Sequence, residues 1–169
     1  MRFSMRPQRV FSDYRRITPA YLTERGIRLL LCDLDYTLAP KSQPEPDAAL
    51  RRWLEGMQEA GITVMILSNN RSPVRVERFC RELGISYEGH ARKPSAEGFR
   101  RAMGRAGASA GETAMLGDKL LTDMLGANRA GVLALMVEPL GGPKGAWNRV
   151  LHGLQRPWKA AAREKCEEA

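Results

Sequence analysis

Residues 28–38 read RLLLCDLDYTL, an apolar run that stops on two aspartates, Asp33 and Asp35, two positions apart. A continuous apolar run of this length, with no polar alternation, suits a strand covered on both faces. Side chains two positions apart on extended chain point the same way, so both carboxylates can face one pocket just past the strand. Two such anions raise each other's pKa unless a cation is supplied, which makes the pair costly as architecture alone. An Asx-type turn is the plain structural alternative, and the pair by itself does not decide between them.

Four further runs have the same character: residues 62–67 (ITVMIL), 85–87 (ISY), 113–116 (TAML) and 132–137 (VLALMV). Between them the apolar period changes to that of a helix. Leu50, Trp53, Leu54 and Met57 share one helical face ahead of Gly61, and Val76, Phe79, Cys80 and Leu83 do so ahead of Gly84. Ser72 and Pro73 read as N-cap and first residue of the second of these helices. A third helix is expected from about Ser95 with Phe99 and Met103, a fourth over 121–130 before Gly131, and a short one at Thr18-Pro19 ahead of Gly26. Apolar runs alternating with amphipathic helices predict an α/β fold with a doubly wound, mostly parallel sheet of five strands. Its ligand edge lies past the carboxyl ends of the strands.

The chain has 169 residues, 43% of them hydrophobic, enough for a single core without metal or disulfide support. No apolar run approaches the ~20 residues of a membrane span, and the basic start MRFSMRPQRV has no secretory apolar centre. Cys32, Cys80 and Cys166 share no CxxC spacing and leave an odd thiol, against a disulfide framework or a zinc site and consistent with a reducing cytoplasm. The formal charge is +8, and residues 1–28, with seven arginines against Asp13 and Glu24, carry +5 of it. We therefore divide the chain into a basic N-terminal segment (1–26), an α/β core (27–140) and a C-terminal helical tail (141–169). In the tail, Trp147, Val150, Leu151 and Leu154 form one more stripe.

Three other sites gather polar groups at the predicted ligand edge. The second run ends in Ser68-Asn69-Asn70, Lys93 precedes Pro94 at the start of a helix, and the fourth run ends in Gly117-Asp118, with Asp123 five residues later. Each has an ordinary reading as strand exit, solvated lysine, turn or helix-dipole carboxylate. Together they supply acids for a hard divalent cation, and an ammonium and a hydroxyl for phosphoryl oxygens.

In this order and spacing the residues resemble the four motifs of the haloacid dehalogenase superfamily of aspartate-nucleophile phosphatases. The first motif is Asp33-Leu34-Asp35-Tyr36-Thr37-Leu38, the second Ser68, the third Lys93 and the fourth Gly117-Asp118 through Asp123, with the likeness covering residues 27–140. More narrowly, Ser68-Asn69-Asn70, the GDxxxTD form of the fourth motif and residues 125–131 (LGANRAG) resemble the YqeG branch of subfamily IIIA. Relatives of that branch include phosphatidylglycerophosphate phosphatases of mitochondria and plastids. The resemblance implies a Rossmann-like core with strand order 3-2-1-4-5, counted over the five runs, and a Mg²⁺-dependent phosphomonoester hydrolase. It implies Asp33 as nucleophile forming an aspartyl phosphate, Asp35 as general acid and base, and Ser68, Asn69 and Lys93 around the phosphoryl group. Mg²⁺ would sit on the carboxylates of Asp33 and Asp118 and the backbone carbonyl of Asp35, with Asp123 orienting a metal-bound water or Lys93. Two positions depart from the pattern: Tyr36 stands where relatives usually carry Asn or Gly, and Lys119 where the narrower branch usually has Gln.

Thirty-five positions separate Asp33 from Ser68 and twenty-five separate Ser68 from Lys93, each filled by a loop, one helix and one short strand, so no cap domain fits. An uncapped site suits a phosphate on something large, such as phosphatidylglycerophosphate or another membrane-borne phosphate. The basic segment and the Trp147 stripe would then make peripheral contact with an anionic membrane; packing on the sheet edge is the commoner fate of such a stripe. The competing class is a basic RNA- or ribosome-associated binding module on the same scaffold. Against nucleic acid, the chain lacks an aromatic strand platform for stacking bases.

Overall fold

A computed structural model describes residues 4–70, 73–141 and 160. Ser72, Cys166 and the stripe from Trp147 to Leu154 lie outside them. Six strands form one parallel sheet: β1 (Arg9–Phe11), β2 (Leu29–Cys32), β3 (Thr63–Leu67), β4 (Ser86–Glu88), β5 (Thr113–Gly117) and β6 (Leu133–Val137). Their order across the sheet is β1-β6-β5-β2-β3-β4. The five expected strands are present in the expected order, and the sheet is entirely parallel. The sixth strand, β1, corrects the count. It pairs Arg9 with Leu135, Val10 with Met136 and Phe11 with Val137, and thus joins part of the basic N-terminal segment to the sheet. Three residues with a single buried side chain carry no period by which a strand can be recognised.

Helices cover both faces, which is why the central strands are buried along their whole length. On one face, Leu30, Cys32, Val64, Ile66 and Leu116 pack against α2 (Ala48–Glu59) and α3 (Val74–Leu83). The alternate residues Leu29, Leu31, Met65, Leu67 and Met115 meet α4 (Glu97–Ala106) and α5 (Leu125–Ala130) on the other. Cys32 is fully buried and burial pushes its thiol well above the ordinary range, so beside Asp33 it is a core residue and not a nucleophile.

Local signals set most element ends. Thr18 caps α1 (Pro19–Thr23) by accepting from the Tyr21 N–H, with Pro19 at the first turn. Gly84, Gly107 and Gly131 take the left-handed conformation that closes α3, α4 and α5. The helix starts differ slightly from expectation. α3 begins at Val74 rather than Pro73, and a turn over 93–96 separates Lys93 from α4, so Lys93 does not itself open a helix.

The N-terminal residues pack into the body. Ile17 and Leu22 are fully buried, Tyr14 meets Trp53 edge-on at 5.2 Å, and Trp53 Nε1 donates to the Ile17 carbonyl at 2.9 Å. Between Asp33 and Lys93 the described chain forms only loops, α2, β3, α3 and β4, so among the described residues no cap domain is inserted at the carboxyl edge of the sheet.

Candidate active site

Three consecutive positions of the sheet, β5, β2 and β3, deliver Asp118, Asp33 and Ser68 from the residue after each strand. The parallel register aligns Leu116 with Cys32 and Cys32 with Ile66, so the three exits share one edge. The Asp33 amide donates to the Leu116 carbonyl and the Ser68 amide to the Glu88 carbonyl, which carries the ladder one step beyond the strands.

Asp123 reaches the same place from a wide π-helical turn, Leu120–Met124, ahead of α5. Such turns rotate a side chain out of the regular helical stripe and recur at functional sites. Its carboxylate lies directly over Gly117, where an added Cβ would come within 2.4 Å of Asp123 Cγ. Only glycine permits that approach. Gly117→Ala is therefore expected to displace Asp123 and to lower kcat on a test phosphate by about 10²-fold, the scale of a small misplacement near the reacting groups. Steady-state kinetics beside a thermal melt will separate that loss from unfolding.

The carboxylates of Asp33, Asp118 and Asp123 converge, with one oxygen from each lying within 4.8 Å of the others. Lys93, with its side chain 2% exposed, neutralises two of them. Its Nζ lies 3.0 Å from Asp33 Oδ1 and 2.8 Å from Asp123 Oδ1, and donates to the Leu67 carbonyl at 2.7 Å. The contact to Asp123 Oδ1 is an ion pair without hydrogen-bond alignment, so that buried oxygen has no aligned donor. Lys119 approaches from the open side, 2.7 Å from Asp118 Oδ1 and 3.4 Å from Asp33 Oδ2. The Lys119 backbone N–H donates to Asp123 Oδ2 at 3.2 Å.

Lys93 is held by its own backbone. The Asn69 side chain accepts from the Lys93 N–H at 2.7 Å and donates to the Lys93 carbonyl at 2.9 Å. The preceding loop contains His90 and Arg92 at positive φ around buried Ala91, whose N–H donates to the Ser68 carbonyl. Two non-glycine residues in that region carry a conformational cost that the packing around Ala91 sustains. The Ser68 hydroxyl accepts from the Asn70 N–H at 3.0 Å.

Burial alone would raise the Asp33 carboxyl, but Lys93 and Lys119 more than offset it and hold it below the ordinary carboxylate range. Burial pushes Asp118 up to about 6, with Lys119 opposing and Asp123 and Asp33 adding to the rise. Burial likewise raises Asp123, against Lys93. Lys93 stays charged because Asp123 and Asp33 outweigh the burial that would lower it. The sign for stability follows from Asp118. A carboxyl raised on folding stabilises the fold below its unfolded pKa, and that contribution disappears as pH rises through about 6. In EDTA, the protein is expected to gain about 1 kcal/mol of stability between pH 7 and pH 5. Urea titrations at the two pH values will read it.

Asp35 departs from the simplest expectation. The chain turns there: Asp35 bridges to Ala39, and Tyr36 takes φ 66°, where Gly and Asn are at home. The Asp35 carboxylate meets Arg75 Nε at 2.9 Å and Lys41 Nζ at 3.8 Å, not the cluster of three acids. Arg75 also donates to the Pro40 and Gln43 carbonyls, tying α3 to the loop after Asp35. Sequence reading missed the roles of Arg75, Lys41 and Lys119, because an exposed-looking basic residue carries no period that reveals its partner.

The haloacid dehalogenase-like hydrolase family matches residues 10–131. A protein named as a probable phosphatase, YqeG of Bacillus subtilis (strain 168), is 35% identical over 159 residues, which is 94% of this chain and 92% of its own length. The chloroplastic phosphatidylglycerophosphate phosphatase 1 of Chlamydomonas reinhardtii is 30% identical over 142 residues, 79% of this chain and 53% of its own length. Among solved structures, the cobalt-bound deoxy-D-mannose-octulosonate 8-phosphate phosphatase of Haemophilus influenzae shares the fold with a TM-score of 0.52. That likeness has 21% identity and covers 82% of this chain and 92% of the other.

Proposed function

The chain belongs to the haloacid dehalogenase-like hydrolase family and is a phosphatase, and we propose that it cleaves phosphomonoesters through an aspartyl phosphate on Asp33, with Mg²⁺ as cofactor. The observation that carries this reading is the meeting of Asp33, Asp118 and Asp123 within 4.8 Å under a single buried lysine. The donor set fits a hard cation. All three acids are carboxylates, one oxygen of each lies within 4.8 Å of the others, and Asp123 Oδ1 has no aligned hydrogen-bond donor among the described residues. Asp33 and Asp118 would hold the ion with the Asp35 carbonyl, and when bound it would supply a Lewis acid for the phosphoryl oxygens.

The protein's own groups account for the rest. Asp33, kept ionised by the buried Lys93 ammonium, attacks phosphorus in line, and the P–O bond to the leaving group breaks. Asp35 gives the leaving oxygen its proton and recovers one from the water that opens the acyl phosphate. Arg75 and Lys41 orient that carboxyl on the open side of the site. Lys93 and the Ser68 hydroxyl hold phosphoryl oxygens, helped by the Asn69 backbone N–H, while the Asn69 side chain fixes Lys93 and Asp123 aims it.

For substrate, we favour phosphatidylglycerophosphate or another large or membrane-borne phosphate, reached by peripheral contact with an anionic membrane. Support comes from the uncapped sheet edge and the similarity to a chloroplastic phosphatidylglycerophosphate phosphatase. Among the described residues no helix is long and apolar enough to cross a membrane. Hydrolysis of an aryl phosphate with and without Mg²⁺, followed by a panel of phosphorylated lipids, sugars and nucleotides, tests both levels. Metal-independent turnover removes the cofactor, and a soluble sugar phosphate turned over far faster than any lipid removes the lipid.

A further inference from the structure

Two lysines neutralise the three carboxylates, and they are held very differently. Lys93 is built in: its side chain is 2% exposed, its ammonium is bonded to the Leu67 carbonyl, and its backbone is clamped by Asn69. The Lys119 side chain is 46% exposed, and the contacts of its ammonium are to Asp118 Oδ1 at 2.7 Å and Asp33 Oδ2 at 3.4 Å. Lys93 already holds Asp33 Oδ1, so Oδ2 is the oxygen left for a metal, and Lys119 approaches that one. A divalent ion coordinates its oxygens at about 2.1 Å and takes the lone pairs that an ammonium at hydrogen-bond distance uses. The two cations cannot share these carboxylates.

We propose that Lys119 is a tethered cation that pairs with the metal-binding carboxylates when divalent ion is scarce, so that metal must displace it to bind. This rests on the metal reading of the site and goes further, since it makes the metal concentration at which the enzyme switches on a property of the Lys119 side chain. Charge favours the exchange. Three carboxylates beside two ammonium groups leave one negative charge, and replacing one ammonium with a divalent ion brings the cluster to neutrality. The four-carbon stem lets the displaced ammonium swing into solvent at the open mouth.

The test is calorimetric titration of MgCl₂ into wild type, Lys119→Gln and Lys119→Met without substrate, with thermal melts of each in EDTA and in Mg²⁺. Both variants are expected to bind Mg²⁺ about tenfold more tightly, because no competing state remains to be displaced. They should also melt below wild type in EDTA, where buried Asp33 and Asp118 lose a counter-charge, and gain more on adding Mg²⁺. Unchanged or weaker Mg²⁺ affinity in both variants overturns the proposal, as does an unchanged melt in EDTA. Weakened binding of inorganic phosphate with Mg²⁺ affinity unchanged would make Lys119 a phosphate ligand instead, and overturns it too. If wild type takes up no Mg²⁺, the metal reading fails and the exchange with it; if wild type binds and the variants merely match it, the exchange alone fails.

Discussion

Asp33→Asn is expected to lower kcat on an aryl phosphate by at least about 10⁴-fold, the scale on which removing a covalent nucleophile acts. Asparagine keeps the shape of the side chain, so the ladder bond from the Asp33 amide to Leu116 survives and the fold should hold. What is lost is the anion. The two ammonium groups that pair with Asp33 face a neutral carboxamide, and an amide oxygen cannot form the acyl phosphate. A second readout keeps the chemistry distinct from binding: rapid acid quench of wild type during turnover should trap a phosphoryl group on the protein that hydroxylamine releases, and Asp33→Asn should trap none. An Asn variant keeping more than about a tenth of wild-type kcat would end the nucleophile assignment.

That prediction was within reach of the sequence because the candidate site residues occupy one kind of place. Asp33, Ser68 and Asp118 each follow a continuous apolar run, and a parallel sheet brings such positions to one edge whatever the intervening loops do. Side-chain orientation was less accessible. Spacing of i and i+2 aims Asp35 beside Asp33 only while the backbone stays extended. The turn at Asp35 and the positive φ of Tyr36 end that condition and send the carboxylate to Arg75. Position puts the Asn69 backbone N–H at the expected phosphate edge, but the work of its side chain, holding the Lys93 backbone 24 residues away, leaves no mark in local spacing. β1 escaped notice for a related reason: what makes Arg9–Phe11 a strand is the free edge of β6, formed more than a hundred residues later.

The same strand determines what removing the basic N-terminal segment would do. A chain beginning at residue 27 is expected not to fold stably. It loses the β1 ladder on β6 and five buried side chains: Pro7, Val10, Tyr14, Ile17 and Leu22, the last two with no exposed surface. At about 1.5–3 kcal/mol for each buried side chain, the loss is of the order of the whole stability of a domain this size, even as an upper estimate. Ile17→Ala and Leu22→Ala should each cost about 2–5 kcal/mol in the full chain, which keeps the claim testable if the short chain cannot be made. A cooperative melt of residues 27–169 within a few degrees of the full chain would refute it. Arginines of the segment also serve the fold: Arg15 pairs with Asp13, and Arg25 lies 3.8 Å from the centre of the Tyr21 ring. Loss of vesicle binding in such a truncation would therefore report unfolding, and the membrane role of the charge has to be read from point substitutions at exposed arginines such as Arg16, with the melt of each variant as control.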